Sequence, residues 1–201
     1  MTTTAISKIF KDPDKVVKYA PHLFAIGKYY PKGNGNYRDM DEFSGKILDI
    51  KKDEEMLDPK SSSHYYYIQA LDYFKSRLND ILSHNEEFII CVMPSHNKGT
   101  LTSGIRTIAE SLCCPPRING TKFLCRNKKM PEKHLGGNRN LEEEIDSLSV
   151  QNNSHKIIKD KIILLLDDVT TTGITFDAGI YKLKSAGACE VIALALGKTT
   201  Y

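Results

Sequence analysis

An α/β fold, with a central parallel β-sheet flanked by helices and a small N-terminal hood, is predicted by three features of the sequence. Short uninterrupted apolar runs, FIICVM (88–93), KIILLLDD (161–168) and CEVIALAL (189–196), have the length and make-up of strands buried on both faces. Segments with apolar residues at helical spacing alternate with them, which is the pattern of parallel strands joined by crossover helices. Polar, turn-rich sequence occupies the first sixty or so positions. With 201 residues, 40% of them hydrophobic, the chain can bury one good core but not comfortably two. Residues 1–60 are therefore expected as the small appended hood and 61–201 as the core.

In the hood, Leu23 to Tyr30 and Phe43 to Ile50 are rich in β-forming residues, and the turn formers PKGNGN lie between them, which predicts a loose hairpin. KKDEEMLD (51–58) reads as a solvated loop. SSSHYYYIQALDYFKSRLNDIL (61–82) offers serine caps and then a stripe of Tyr67, Leu71, Phe74, Leu78 and Leu82, a helix with one apolar face. Its tyrosines 65 to 67 are expected to pack in a core or interface. GTLTSGIRTIAESL (99–112) predicts a helix burying Leu101, Ile105, Ile108 and Leu112, and TKFLCR (121–126) a further strand. After KIILLLDD comes a helix with Phe176, Ile180 and Leu183 inward and Gly187 as its stop.

Composition excludes several functional classes. The five cysteines, Cys91, Cys113, Cys114, Cys125 and Cys189, contain no Cys-x-x-Cys pair, against both a disulfide framework and a structural zinc site. A net charge of +3 without a polybasic tail does not indicate nucleic acid as a partner. No apolar run has the length of a signal peptide or membrane span, so a cytoplasmic protein with no membrane partner is expected. LGKTT (196–200) ends like a phosphate-binding P-loop, but the first glycine of that motif would fall on Ile192.

Ligands of parallel sheets bind beyond the carboxyl ends of the strands, so the loops after Met93, Arg126 and Asp168 matter most. In LLLDDVTTTGITF (164–176) a buried strand runs into two carboxylates, then into threonines around one glycine. Small residues at a strand-to-helix turn let backbone N–H groups converge on an anion, and threonine hydroxyls add donors without charge. Thr171 to Thr175 thus form a phosphate cradle, while Asp167 and Asp168 suit vicinal hydroxyls or a hydrated Mg2+. Ribose 5-phosphate has the matching phosphate and diol.

ILLLDDVTTTGITF closely resembles the phosphoribosyl pyrophosphate (PRPP) motif of type I phosphoribosyltransferases, and the likeness extends in motif order over residues 87–201. The resemblance implies that Asp167 and Asp168 bind the ribose hydroxyls, directly or through magnesium. It implies that Thr171, Thr172, Gly173, Ile174 (by its backbone) and Thr175 hold the 5-phosphate. PSHNKGT (94–100) looks like the family's pyrophosphate loop, with Lys98 and Gly99 as contacts to the leaving group. RNKKMPEKHLGGNR (126–139) lies where the family has its mobile catalytic loop; it resembles the Lys/His/Gly-Gly loop of orotate phosphoribosyltransferases and the Arg-x-x-x-x-Pro stretch of the ComF family. That likeness implies catalytic roles for Lys133, His134 and Arg139.

The activity implied is Mg2+-dependent transfer of phosphoribosyl from PRPP to a small nitrogenous acceptor, a pentosyltransferase reaction of nucleotide metabolism, with a homodimer left open. The alternative is a PRPP-sensing or ComF-like DNA-processing protein without turnover. Two departures bear on the acceptor. Thr171 stands where purine salvage enzymes carry an acidic residue, and the four-cysteine module that often opens ComF-like proteins is missing.

Overall fold

A computed structural model describes residues 2–31, 40–95, 103–128 and 140–200. Strands β1 (Val17–Ala20), β2 (Leu23–Tyr29), β3 (Ile89–Val92), β4 (Ile118–Asn119), β7 (Ile162–Thr170) and β8 (Glu190–Thr199) form one sheet in the order β1-β2-β8-β7-β3-β4. All its neighbouring pairs are parallel except β1 with β2, so the sheet is mixed and mostly parallel. Strands β5 (Leu124–Arg126) and β6 (Leu148–Val150) form a separate antiparallel ribbon. The strand expected over TKFLCR is thus real at its end but lies outside the parallel sheet, whose edge is taken by the two-residue β4.

Successive side chains of each strand point opposite ways, and on the central strands β3, β7 and β8 both sets are buried. Ile90, Val92, Leu164, Leu166, Leu194 and Leu196 pack on one side against α1 (Thr2–Ile9), α2 (Glu42–Ile50), α3 (Ser62–Ile81) and α4 (Gly104–Ser111). Ile89, Cys91, Ile163, Leu165, Ala193 and Ala195 pack on the other against α6 (His155–Ile158) and α7 (Ile174–Ser185). The short α5 (Leu141–Ser147) precedes β6.

Within α3, Ser61 caps the N-terminus by accepting from the His64 N–H at 3.1 Å, and the expected stripe from Tyr67 to Leu78 is buried, with Leu82 just beyond the helix. Tyr67 packs in the core, whereas Tyr65 and Tyr66 are exposed. Leu101 of the α4 stripe falls outside the described residues; Ile105, Ile108 and Leu112 are buried as expected.

The segment expected as a hood contributes β1 and β2 to the main sheet and α2 to one of its faces. Its second stretch is not a strand. Residues 42–50 are helical, because Asp41 caps the segment by accepting from the Ser44 N–H at 3.0 Å and Ile47 and Ile50 then fall on one buried face. The loose hairpin is instead a tight β1–β2 pairing, Lys18 opposite Phe24.

Candidate functional site

The order β4-β3-β7-β8 contains a reversal of winding. After β3 the chain crosses by α4 on one face to β4; after β7 it crosses by α7 on the other face to β8. The crevice at such a switch point, outside the carboxyl ends of β3 and β7, is where open α/β sheets bind ligands. Among the described residues, the starts of the loops singled out from sequence are joined there. The Met93 N–H donates to the Leu166 carbonyl at 2.9 Å, and Arg126 Nε donates to the Ser95 carbonyl at 3.3 Å, joining the start of the loop after β3 to the start of the loop after β5.

Asp167 and Asp168 stand near the end of β7, both partly exposed. Asp167 Oδ1 accepts from the Asp168 N–H at 2.9 Å, and Asp168 Oδ1 from the Val169 N–H at 2.5 Å. One oxygen of each carboxylate is therefore fixed by the local backbone. Asp168 Oδ2 faces a cation, the Lys51 ammonium at 3.6 Å. Tyr29, at the end of β2, has its ring 5.6 Å from the same Lys51 nitrogen. Burial pushes its phenol up from the usual value, with Lys51 lowering it and Asp168 raising it to lesser degrees.

Strand β7 continues through Thr170, and the turn follows at 171–173. Gly173 has φ +92°, a left-handed conformation that side chains resist, and it starts α7, whose first hydrogen bond runs from the Asp177 N–H to the Gly173 carbonyl at 2.9 Å. The first N–H groups of α7 have no acceptor within the helix and carry its positive dipole end. Thr172 is exposed, and Thr171, Ile174 and Thr175 are partly so. The turn is braced from β8: Lys198 Nζ donates to the Thr171 carbonyl at 2.6 Å, and the Thr171 and Thr199 hydroxyls lie 3.0 Å apart.

The structure thus brings together Asp167, Asp168, Thr171, Thr172, Gly173, Ile174 and Thr175. Lys98, Gly99, Lys133, His134 and Arg139 lie outside the described residues. Sequence reasoning missed Tyr29, Lys51, Lys198 and Thr199. The last two were within reach, since they end a strand that neighbours β7; Lys51 had no such signal, because its place depends on α2.

The two carboxylates offer hard oxygen donors, as Mg2+ prefers, and a metal ion at Asp168 Oδ2 would have to share that oxygen with the Lys51 ammonium at 3.6 Å. Among the described residues no three acidic, histidine or cysteine side chains gather into a metal cage. The pair suits an ion that keeps most of its water and shares substrate oxygens. Among the described residues no helix is long and apolar enough to cross a membrane. Neither protein-family models nor curated proteins give a match to the chain.

Proposed function

We propose that the protein is a Mg2+-dependent phosphoribosyltransferase that moves 5-phosphoribosyl from PRPP to a nitrogen nucleophile, a nucleobase or amine, and releases pyrophosphate. The observation that carries this reading is the junction of β7 and α7: two adjacent carboxylates followed by a left-handed glycine at a helix N-terminus, all at the switch point. Asp167 and Asp168 accept hydrogen bonds from the ribose diol, and the turn from Thr171 to Thr175 donates to the 5-phosphate.

In the reaction, the bond from C1 to the pyrophosphate oxygen breaks with its electrons leaving on oxygen. The acceptor nitrogen gives its lone pair to C1 and loses a proton. Because C1 becomes oxocarbenium-like on the way, catalysis consists of holding the sugar still and neutralising the leaving group. Asp167 and Asp168 would hold a magnesium ion, which would supply part of that neutralisation. Lys98 supplies more, and Lys133, His134 and Arg139 close the charge balance.

The deciding experiment measures pyrophosphate release from PRPP and Mg2+ against a panel of nucleobases, amines and ammonia. Release that depends on one acceptor is expected; no release with any of them would overturn the enzyme reading.

A further inference from the structure

We infer that Lys51, from the N-terminal segment, is a binding residue for the anionic diphosphate at C1 of the phosphoribosyl ligand. The inference rests on the reading above and adds to it a cation that its motifs do not contain.

Three observations carry it. Lys51 follows α2, which packs on the α3 face of the sheet, whereas α7 lies on the opposite face. The approach of α2 to β8 is close because Gly197 has no side chain: a Cβ there would come within 2.6 Å of Ile47 Cδ1. The lysine thereby reaches over the sheet end to Asp168, at 3.6 Å, and 37% of its side chain stays exposed. A lysine has three donors, and one carboxylate contact leaves capacity for another anion.

The chemistry of the ligand gives this position its meaning. In ribose 5-phosphate the phosphate and C1 lie at opposite ends of the sugar, with the diol between them. With the phosphate at the start of α7 and the diol at the Asp167–Asp168 crest, C1 projects toward the face of α2. Lys51 and the Tyr29 ring stand there. Asp168 and the ring hold the ammonium in place before the ligand arrives, so little side-chain freedom is lost on contact with the diphosphate. An acidic acceptor at C1 would draw on the same charge, and the probes below separate the two sources.

The test is calorimetry on the full chain with three probes: PRPP with Mg2+, inorganic pyrophosphate with Mg2+, and ribose 5-phosphate. Lys51→Met should weaken PRPP and pyrophosphate about tenfold, as loss of one charge-assisted contact implies, while ribose 5-phosphate changes by less than about twofold. Lys51→Arg should retain most of the PRPP affinity. Lys51→Gln gives the same comparison should the methionine variant fold poorly. Equal losses for PRPP and ribose 5-phosphate, or no loss for either, would overturn the assignment. So would an unchanged pyrophosphate affinity accompanied by a higher KM for an acidic acceptor, which would place Lys51 on the acceptor. A parent protein that binds none of the three probes would bring down the phosphoribosyl reading and the assignment together.

Discussion

Arg126 Nη1 lies 2.7 Å from Glu144 Oε2, and both side chains are shut off from solvent. The same guanidinium also donates to the Ser147 hydroxyl and to the Ser95 carbonyl. The pair fastens β5 to α5, and so the two ends of the segment that contains Lys133, His134 and Arg139. Removing one partner strands a buried charge, so Glu144→Gln or Arg126→Ala should cost about 3–5 kcal/mol. Urea unfolding measures this; a cost below about 1 kcal/mol would show that the pair does not hold the fold together at this point.

Asp167→Asn with Asp168→Asn should abolish Mg2+-dependent affinity for PRPP while leaving the far-ultraviolet circular dichroism unchanged. Both carboxylates are partly exposed at a strand end, where loss of charge costs the fold little. Unchanged affinity by calorimetry would remove the central claim about the site.

Gly173→Val should lose the phosphate cradle. At φ +92° a β-branched residue is strained by about 1–3 kcal/mol, and its Cβ would also press on Leu23 Cδ2 at 3.3 Å. Ribose 5-phosphate is expected to raise the melting temperature of the parent protein and not that of the variant. Equal protection of both would place the phosphate elsewhere.

Much of this architecture is legible in the sequence because parallel strands buried on both faces leave an unmistakable apolar record, as in Ile162 to Leu166 and Val191 to Leu196. The α3 stripe was equally plain, since Tyr67, Leu71, Phe74 and Leu78 repeat at helical spacing. Residues 43–50 were misread because their β-forming composition outweighed the period: Phe43, Ile47 and Ile50 already stood at i, i+4 and i+7, behind a capping aspartate. TKFLCR was assigned to the wrong sheet because a strand's own residues do not say which neighbour it pairs with, and β4 is too short to leave any pattern. The site divides similarly. The carboxylates and the turn at Gly173 are contiguous in sequence and could be found together, whereas Lys51 meets Asp168 across 117 positions only through the packing of α2 on β8.

Tyr67 predicts a pH dependence. Burial, with the neighbouring Glu54 carboxylate adding to it, pushes its phenol up to about 12 from 10.0. A folded-state value above the unfolded one means that the stabilisation is fully present below about pH 10 and is lost as the pH rises toward about 12. Unfolding free energy should therefore fall over that interval in the parent protein. Tyr67→Phe should flatten the fall, at the expense of the 3.1 Å hydrogen bond from the Tyr67 hydroxyl to Glu54. Identical pH profiles for the two proteins would mean that Tyr67 does not govern the alkaline limb.

The remaining prediction separates an enzyme from a protein that only senses PRPP. Lys133, His134 and Arg139 sit between β5 and α5, in the segment bracketed by the Arg126–Glu144 pair. If their charges act on the pyrophosphate as it departs, their contacts are stronger in the transition state than with bound PRPP. Replacing all three with alanine should then lower turnover by far more than it weakens PRPP binding, because interactions made only in the transition state act on kcat. In a sensor the same residues could alter affinity alone. Proteolysis gives a second measure: cleavage between Lys128 and Arg139 should slow when PRPP and Mg2+ are added to the parent protein, since a segment drawn onto a ligand opens less often. Parallel losses of binding and turnover in the triple variant would shift the reading to the sensor, because no part of the segment's contribution would then be reserved for the reacting state.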